Sequence, residues 1–305
     1  MSLKIENVSK KFGNKKVVDN ISIELDKPQV FGLLGTNGAG KTTTIRMLLG
    51  ILKKDSGTIT WKNKEVDRKT VNFGYLPEER GVYPKVKIIN QLKYFAELKG
   101  MNKEETIKSI NKWAKKLKVE EYLEMPAEKL SKGNQQKIQF MTSVIHDPEL
   151  LVLDEPFSGL DPVNTEILKK IIIDLVKQGK YIIMSAHEMH TIEEFCTNIL
   201  IINKGKTVLK GNIKQIKETY PANRVILETE KEITNILEEE KLEIENSHDN
   251  QYIVKIKEEN QAHELLKKLI KEKINITKFE IMRPTLNDIF IEKVGNKNAW
   301  YTNSS

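Results

Sequence analysis

The sequence predicts an α/β chain: a mainly parallel sheet with helices, joined by an antiparallel β region, a helical region and a small C-terminal α+β unit. Three observations carry this prediction. Strand-length apolar runs at 30–34, 150–153, 181–184 and 199–202 alternate with helical periodicity, as buried parallel strands do. A glycine-rich turn over 35–43 joins the first run to a helix that starts at Thr44. The apolar register then breaks at Thr219-Tyr220-Pro221-Ala222-Asn223, which reads as a linker.

Taken in order, residues 2–30 alternate apolar and polar in short pieces around the turn signal Gly13-Asn14, an antiparallel β pattern. Residues 30–75 hold a strand, the glycine-rich turn, its helix, and short strands around Ile59 and Phe73. Residues 84–145 follow the helical period through Ile88, Leu92, Phe95 and Leu98, then Ile107, Ile110, Trp113 and Leu117, with Trp113 expected in the core. After 150 the strand runs alternate with helices. One of these helices opens at Asp161-Pro162, a cap followed by proline, and ends near Gly179. Beyond the linker the pattern reads strand (224–227), helix (233–239), strand (252–256), helix (261–270), strand (274–281) and helix (285–293). The expected domains are 1–218, with a helical part at about 84–145, and 224–295, followed by a polar tail over 296–305 that carries Trp300 and Tyr301. No internal repeat is present, so the chain carries one glycine-rich loop of this kind.

The chain has 305 residues and a formal net charge of +7. Its lysines are spread along the whole length, so no nucleic-acid partner is expected. The single cysteine, Cys196, excludes an intrachain disulfide and reads as a packed thiol. Met1-Ser2-Leu3-Lys4 leads straight into a strand, with no leader pattern. No run of about 18 apolar residues exists, so any membrane role has to come through a partner.

The turn Gly35-Thr36-Asn37-Gly38-Ala39-Gly40-Lys41-Thr42-Thr43 has the strand–turn–helix context of a phosphate-binding loop. Its glycines let several backbone N–H groups converge on one anion, and the helix N-terminus adds partial positive charge. Lys41 is expected to reach the β- and γ-phosphates of a nucleotide, and the Thr42 hydroxyl to bind Mg²⁺. The run 150–153 ends in Asp154-Glu155. Asp154 suits the Mg²⁺ shell, and Glu155 suits orientation or activation of the attacking water. Leu130-Ser131-Lys132-Gly133-Asn134-Gln135-Gln136 opens a helix, Ser158-Gly159-Leu160-Asp161 follows the acidic pair, and His187 stands just past a strand.

These five elements, in this order, resemble the ATP-binding subunit of an ABC transporter over residues 1 to about 215. The resemblance implies a P-loop NTPase (RecA-like) core and assigns roles by position. Residues 35–43 correspond to the Walker A loop, Asp154 closes Walker B, and Glu155 is the catalytic carboxylate. Residues 131–135 form the signature loop, 158–161 the D-loop, and His187 contacts the γ-phosphate. Phe12 falls where the family stacks an aromatic ring on adenine. Glu78 replaces the usual Gln near the metal, with Glu79 as the alternative equivalent and Arg80 expected to offset the added charge. The signature loop reads Ser-Lys-Gly-Asn in place of Ser-Gly-Gly-Gln, keeping the Ser131 hydroxyl and the small Gly133. The segment Arg283-Pro284-Thr285-Leu286-Asn287-Asp288-Ile289-Phe290 resembles the accessory domain of bacterial ABC-2-type export ATPases, such as drug- and sodium-efflux ATPases.

What the resemblance implies is an ATPase with ATP and Mg²⁺ as cofactors, dimerising with a second copy or a paralogous ATPase subunit so that two chains sandwich ATP. It also implies a separate integral membrane permease subunit, met by the helical part and residues 79–94, at the cytoplasmic face of the cell membrane. Export is the expected direction. The alternative is a soluble ABC ATPase acting on ribosomes or DNA. Against it, ribosome-acting relatives carry two ATP sites per chain and DNA-repair relatives carry long coiled-coil inserts, and this chain has neither. Glu155 and His187 together argue against a non-catalytic nucleotide-binding module.

Overall fold

The computed structural model describes residues 2–67, 71–79, 81–186 and 189–294. The tail with Trp300 and Tyr301 lies outside them. The chain divides between Lys210 and Gly211 into two units, each with its own apolar core.

The first unit starts with the antiparallel pair β1 (Leu3–Phe12) and β2 (Lys15–Leu25), turning at Gly13-Asn14. Next come β3 (Val30–Gly35), α1 (Lys41–Leu48), β4 (Ser56–Trp61), the short β5 (Lys64–Glu65) and β6 (Phe73–Leu76). Strands β1, β2, β4 and β5 form one four-stranded sheet in the order β2-β1-β4-β5. Three helices follow: α2 (Ile88–Leu98), α3 (Lys103–Leu117) and α4 (Lys132–Val144). Asn102 and Glu105 close a reciprocal capping box at the start of α3. Trp113 is 4% exposed and meets Phe140 of α4 edge-on at 6.4 Å, the core role its spacing predicts.

The chain then runs through β7 (Leu150–Asp154), α5 (Pro162–Lys177), β8 (Tyr181–Ala186), α6 (Met189–Phe195), β9 (Asn198–Asn203) and β10 (Lys206–Asn212). The second sheet has the order β10-β9-β3-β8-β7-β6. Its pairs β9–β3, β3–β8, β8–β7 and β7–β6 are parallel. Every residue of β3 and β7 is buried, which is why both read as continuous apolar runs rather than alternating ones. Each fully buried Leu, Ile or Val of this sheet contributes about 1.5–3 kcal/mol relative to exposure. The sheet order matters for function. Ligands of open parallel sheets bind outside the carboxyl ends of the strands, and here β3, β7 and β8 are neighbours there.

The second unit holds α7 (Ile213–Glu218), β11 (Arg224–Thr229), α8 (Thr234–Glu239), β12 (Glu243–His248), β13 (Gln251–Lys255), α9 (Glu259–Lys271), β14 (Ile276–Met282) and α10 (Leu286–Val294). Its antiparallel sheet has the order β12-β13-β11-β14, and β11 alternates buried and half-buried residues strictly. Four elements were not read from the sequence: β5, β10, α7 and β12. Strand β12 is an edge strand whose residues are nearly all exposed, so its apolar alternation is missing. No helix among the described residues is long and apolar enough to cross a membrane.

Candidate active site

The carboxyl end of β3 leads into the glycine-rich loop because glycine stands where the backbone needs positive φ under close neighbours. Gly40 has φ 110°, and a Cβ there would lie 2.7 Å from the Val17 carbonyl oxygen. Gly35 has φ 153° with the Ile202 carbonyl oxygen 2.2 Å from where its Cβ would be. Neither position accepts a side chain without moving backbone. The loop then enters α1 at Lys41, with Gly40 at the N-cap and no side chain capping the free N–H groups. Those donors are left for a ligand.

A cleft of about 280 Å³ forms here, lined by Val17, by every residue from Thr36 to Thr43, and by Glu78. Lys41 is 7% exposed, and its Nζ donates to the Gly35 carbonyl at 2.7 Å and the Thr36 carbonyl at 3.4 Å. Burial pushes the Lys41 ammonium below the usual lysine range, while the charges of Glu155, Asp154 and Glu78 pull it back up. Three carboxylates therefore act electrostatically on one buried cation. Glu78 lines the cleft and Glu79 does not. The loop that carries both is tied down by Gln139, whose Nε2 donates to the carbonyls of Pro77 (3.1 Å) and Glu79 (2.9 Å).

Asp154, at the end of β7, is 1% exposed. Its Oδ2 accepts from the Thr42 hydroxyl at 3.5 Å, and its Oδ1 accepts from the Ser185 hydroxyl. Burial raises its carboxyl above the usual range and the Ser185 hydrogen bond opposes the rise. Glu155 follows with φ 52°, a left-handed backbone uncommon outside glycine, asparagine and aspartate. The structure thus brings Lys41, Thr42, Asp154 and Glu155 to one end of the parallel sheet, from sequence positions more than a hundred residues apart.

The other expected residues stand apart from this cleft. Ser131 is the N-cap of α4, its Oγ accepting from Asn134 N at 3.2 Å. Gly133 lies beside the turn after β7, with the Gly159 carbonyl oxygen 3.3 Å from where a Cβ would be. Lys132 and Asn134 belong to the same first turn, and none of these four lines the cleft. Asp161 caps α5 by accepting from Asn164 N at 2.8 Å, a backbone bond that holds its carboxyl below the usual range. Phe12 sits at the end of β1, 50% exposed, with the Lys10 ammonium 5.7 Å from the ring centre. It does not line the cleft. His187 and Arg80 lie outside the described residues.

Two groups carry contacts the sequence reading left without a role. Ser185 on β8 bonds both Asp154 and the backbone N–H of Glu155. Gln136 on α4 donates from Nε2 to the carbonyls of Glu155 (3.4 Å) and Pro156 (3.1 Å). The only sequence signal for Ser185 is its place at the end of a buried strand. A second, more apolar cleft of about 290 Å³ opens next to the 77–79 loop, lined among others by Phe73, Tyr75, Pro77, Phe95, Leu98 and His146.

The ABC transporter family matches residues 18–158. An uncharacterised ABC transporter ATP-binding protein of Bacillus subtilis, YhaQ, is 45% identical over 294 residues, covering 96% of this chain and 98% of that protein. The chain belongs to the ATP-binding proteins of ABC transporters. Residues 211–294 match the C-terminal domain of DrrA1-3-like ATP-binding proteins. The Nod factor export ATP-binding protein I of Cupriavidus metallidurans is 32% identical over 213 residues, covering 68% of this chain and 70% of that protein. A solved structure of the ATP-binding subunit of an ABC transporter superposes with a TM-score of 0.67 at 25% identity, covering 72% of this chain and 93% of that one. The first unit therefore has the P-loop NTPase fold of ABC cassettes, and the protein is an ABC transporter ATP-binding subunit with ATPase activity. With that membership, action on ribosomes or DNA is not favoured.

Proposed function

We propose that this subunit powers a bacterial-type exporter by closing on ATP with a second ATPase chain and opening after hydrolysis. The observation that carries the reading is the meeting of Lys41, Thr42, Asp154 and Glu155 at the carboxyl end of β3 and β7. Lys41 and the free N–H groups of 36–43 hold the phosphates of ATP, and Glu155 orients the attacking water. Thr42, Asp154 and Glu78 suit Mg²⁺. No group of three or more His, Cys, Asp or Glu side chains that could hold a metal occurs among the described residues. Asp154 and the Thr42 hydroxyl lie 3.5 Å apart, so both can face one ion whose remaining positions go to substrate phosphates and water. When bound, Mg²⁺ neutralises charge developing on the phosphates.

Phe12 stacks on adenine, and its exposed ring is free to do so. His187 contacts the γ-phosphate. Ser131, Lys132, Gly133, Asn134 and Asp161 face the nucleotide of the partner chain, which accounts for their absence from the cleft of their own chain. The partner is a second copy or a paralogous ATPase subunit. The helical part and residues 79–94 meet an integral membrane permease at the cytoplasmic face of the membrane. Tyr83 (52% exposed), Tyr94 (51%) and Leu98 (64%) beside the apolar cleft support that contact. Export is supported by the likeness to an export ATP-binding protein. The accessory unit over 224–295, which shows no catalytic set among its described residues, supports the dimer or regulates it.

Glu155→Gln tests the cycle. The amide keeps the size of the side chain while removing the carboxylate and its charge near the γ-phosphate. The variant is expected to bind ATP and accumulate as a dimer under conditions where the parent is largely monomeric. Size-exclusion chromatography with light scattering, with and without Mg-ATP, reads this. A variant that stays monomeric at saturating ATP counts against the sandwich.

A further inference from the structure

We propose that Ser185 is a positioning residue for ATP hydrolysis: its hydroxyl fixes the Asp154 carboxylate and the Glu155 backbone together, and Gln136 braces the same peptide from the other side. This rests on the roles proposed above for Asp154 and Glu155.

The argument starts from register. Strands β7 and β8 are parallel neighbours that pair Asp154 with Ser185. Ser185 is fully buried, so water does not compete for its hydroxyl. A serine hydroxyl has one hydrogen to give and lone pairs to receive. Here the hydrogen goes to Asp154 Oδ1, and the oxygen accepts the Glu155 N–H at 3.2 Å. With Oδ1 held, Oδ2 is the atom left facing the Thr42 hydroxyl at 3.5 Å. One side chain thus sets which way the acidic strand end points.

The same bond acts on Glu155, whose φ of 52° places its backbone in the left-handed region. A non-glycine residue stays there only when its surroundings hold it. Ser185 holds the N–H. Gln136, itself 2% exposed, reaches the carbonyls of Glu155 and Pro156 at 3.4 and 3.1 Å. The backbone is therefore gripped on both sides of the Glu155 Cα, and the direction in which its carboxylate leaves the chain is fixed by two buried side chains. Neither of them lines the nucleotide cleft. They act through Asp154 and Glu155 without touching substrate.

Removing the Ser185 hydroxyl frees the Asp154 carboxylate to rotate and leaves the Glu155 N–H without its acceptor. The glycine-rich loop and the Lys41 contacts are untouched. The damage falls on orientation at the reacting end, where an outer partner of this kind is worth about 10–100-fold.

The test uses the full chain with Ser185→Ala, and Ser185→Cys, which nearly keeps the volume but offers only a weak donor. For both variants kcat is expected to fall about 10–100-fold. ATP affinity without Mg²⁺, measured by calorimetry, is expected to stay parental. The gain in affinity on adding Mg²⁺ is expected to shrink, a readout independent of turnover. Parental kcat and parental Mg²⁺ gain in Ser185→Ala overturn the proposal. So does a fully active Ser185→Cys, because volume would then set the rate, and so does a parallel loss of Mg²⁺-free ATP affinity, which marks general damage. Glu155→Gln is measured alongside. If it hydrolyses at the parental rate, the reading of the site itself falls. If it is inactive while Ser185→Ala is fully active, only the positioning role falls.

Discussion

The two units of this chain put strand and helix to different uses. In the first, strands β3 and β7 are buried on both faces, and the polar groups that matter are buried with them: Lys41, Asp154 and Ser185 are at most 7% exposed. In the second, the sheet buries one face under α8 and α9 around Val225, Leu227, Val254, Leu265 and Leu269, and its charges stay outside. Arg224 pairs with Glu245 and with Asp288 near the surface, and Lys268 bridges Glu239 and Glu240. Buried ionisable groups are expensive unless held by partners, so their concentration at one strand end marks where the fold supports chemistry. The second unit shows no such concentration among its described residues; it spends its residues on packing.

The contrast predicts that substitutions in the first unit's strand ends change chemistry, and those in the second unit change stability. Glu155→Gln should give the largest effect. ATP turnover should fall about 10²–10⁴-fold with the thermal unfolding midpoint nearly unchanged, read by phosphate release and calorimetry. A parental rate would remove Glu155 from the reaction.

Leu265→Ala comes next. Leu265 is fully buried in the C-terminal core, so the cavity should cost about 2–5 kcal/mol of that unit's stability while ATP binding by the first unit persists. Denaturant melts followed beside nucleotide binding would break the comparison if both were lost together.

Lys41→Ala should weaken ATP binding by about 1.5–3 kcal/mol, tenfold or more, through loss of a charged donor. Equal affinity in parent and variant would refute the phosphate-loop assignment.

The smallest effect belongs to Asp288→Asn, at about 1 kcal/mol. Burial pushes the Asp288 carboxyl up, but hydrogen bonds from Arg224 and Thr285 outweigh it and leave the group below the usual range. A depressed carboxylate contributes stability above its unfolded pKa and loses it as pH falls through the folded value. The difference between parent and Asp288→Asn should therefore be full at neutral pH and close in acid. A difference independent of pH would show that the ion pair is not its source.

Much of the first unit was legible because its physics is local. Strands buried on both faces must be apolar throughout, so 30–34, 150–153, 181–184 and 199–202 stand out as runs. A loop with positive φ under close backbone neighbours must use glycine, so Gly35 and Gly40 announce the turn. The capping residues Asp161 and Ser131 are found where their helices begin, since free N–H groups need acceptors within a few residues. Strand β12 was hidden for the converse reason. An exposed edge strand buries too little to impose a pattern, and its pairing with β13 is a tertiary fact.

The sequence by itself determined the order of strand, loop and helix, and hence which residues could meet at the carboxyl end of a parallel sheet. Only the tertiary structure decided how they meet. That Ser185 lies opposite Asp154, that Gln136 reaches the carbonyl of Glu155 from another helix, and that Glu78 rather than Glu79 lines the cleft all depend on strand register and helix placement. Those are set by packing across the whole core, where a one-residue slip would turn each side chain to the opposite face.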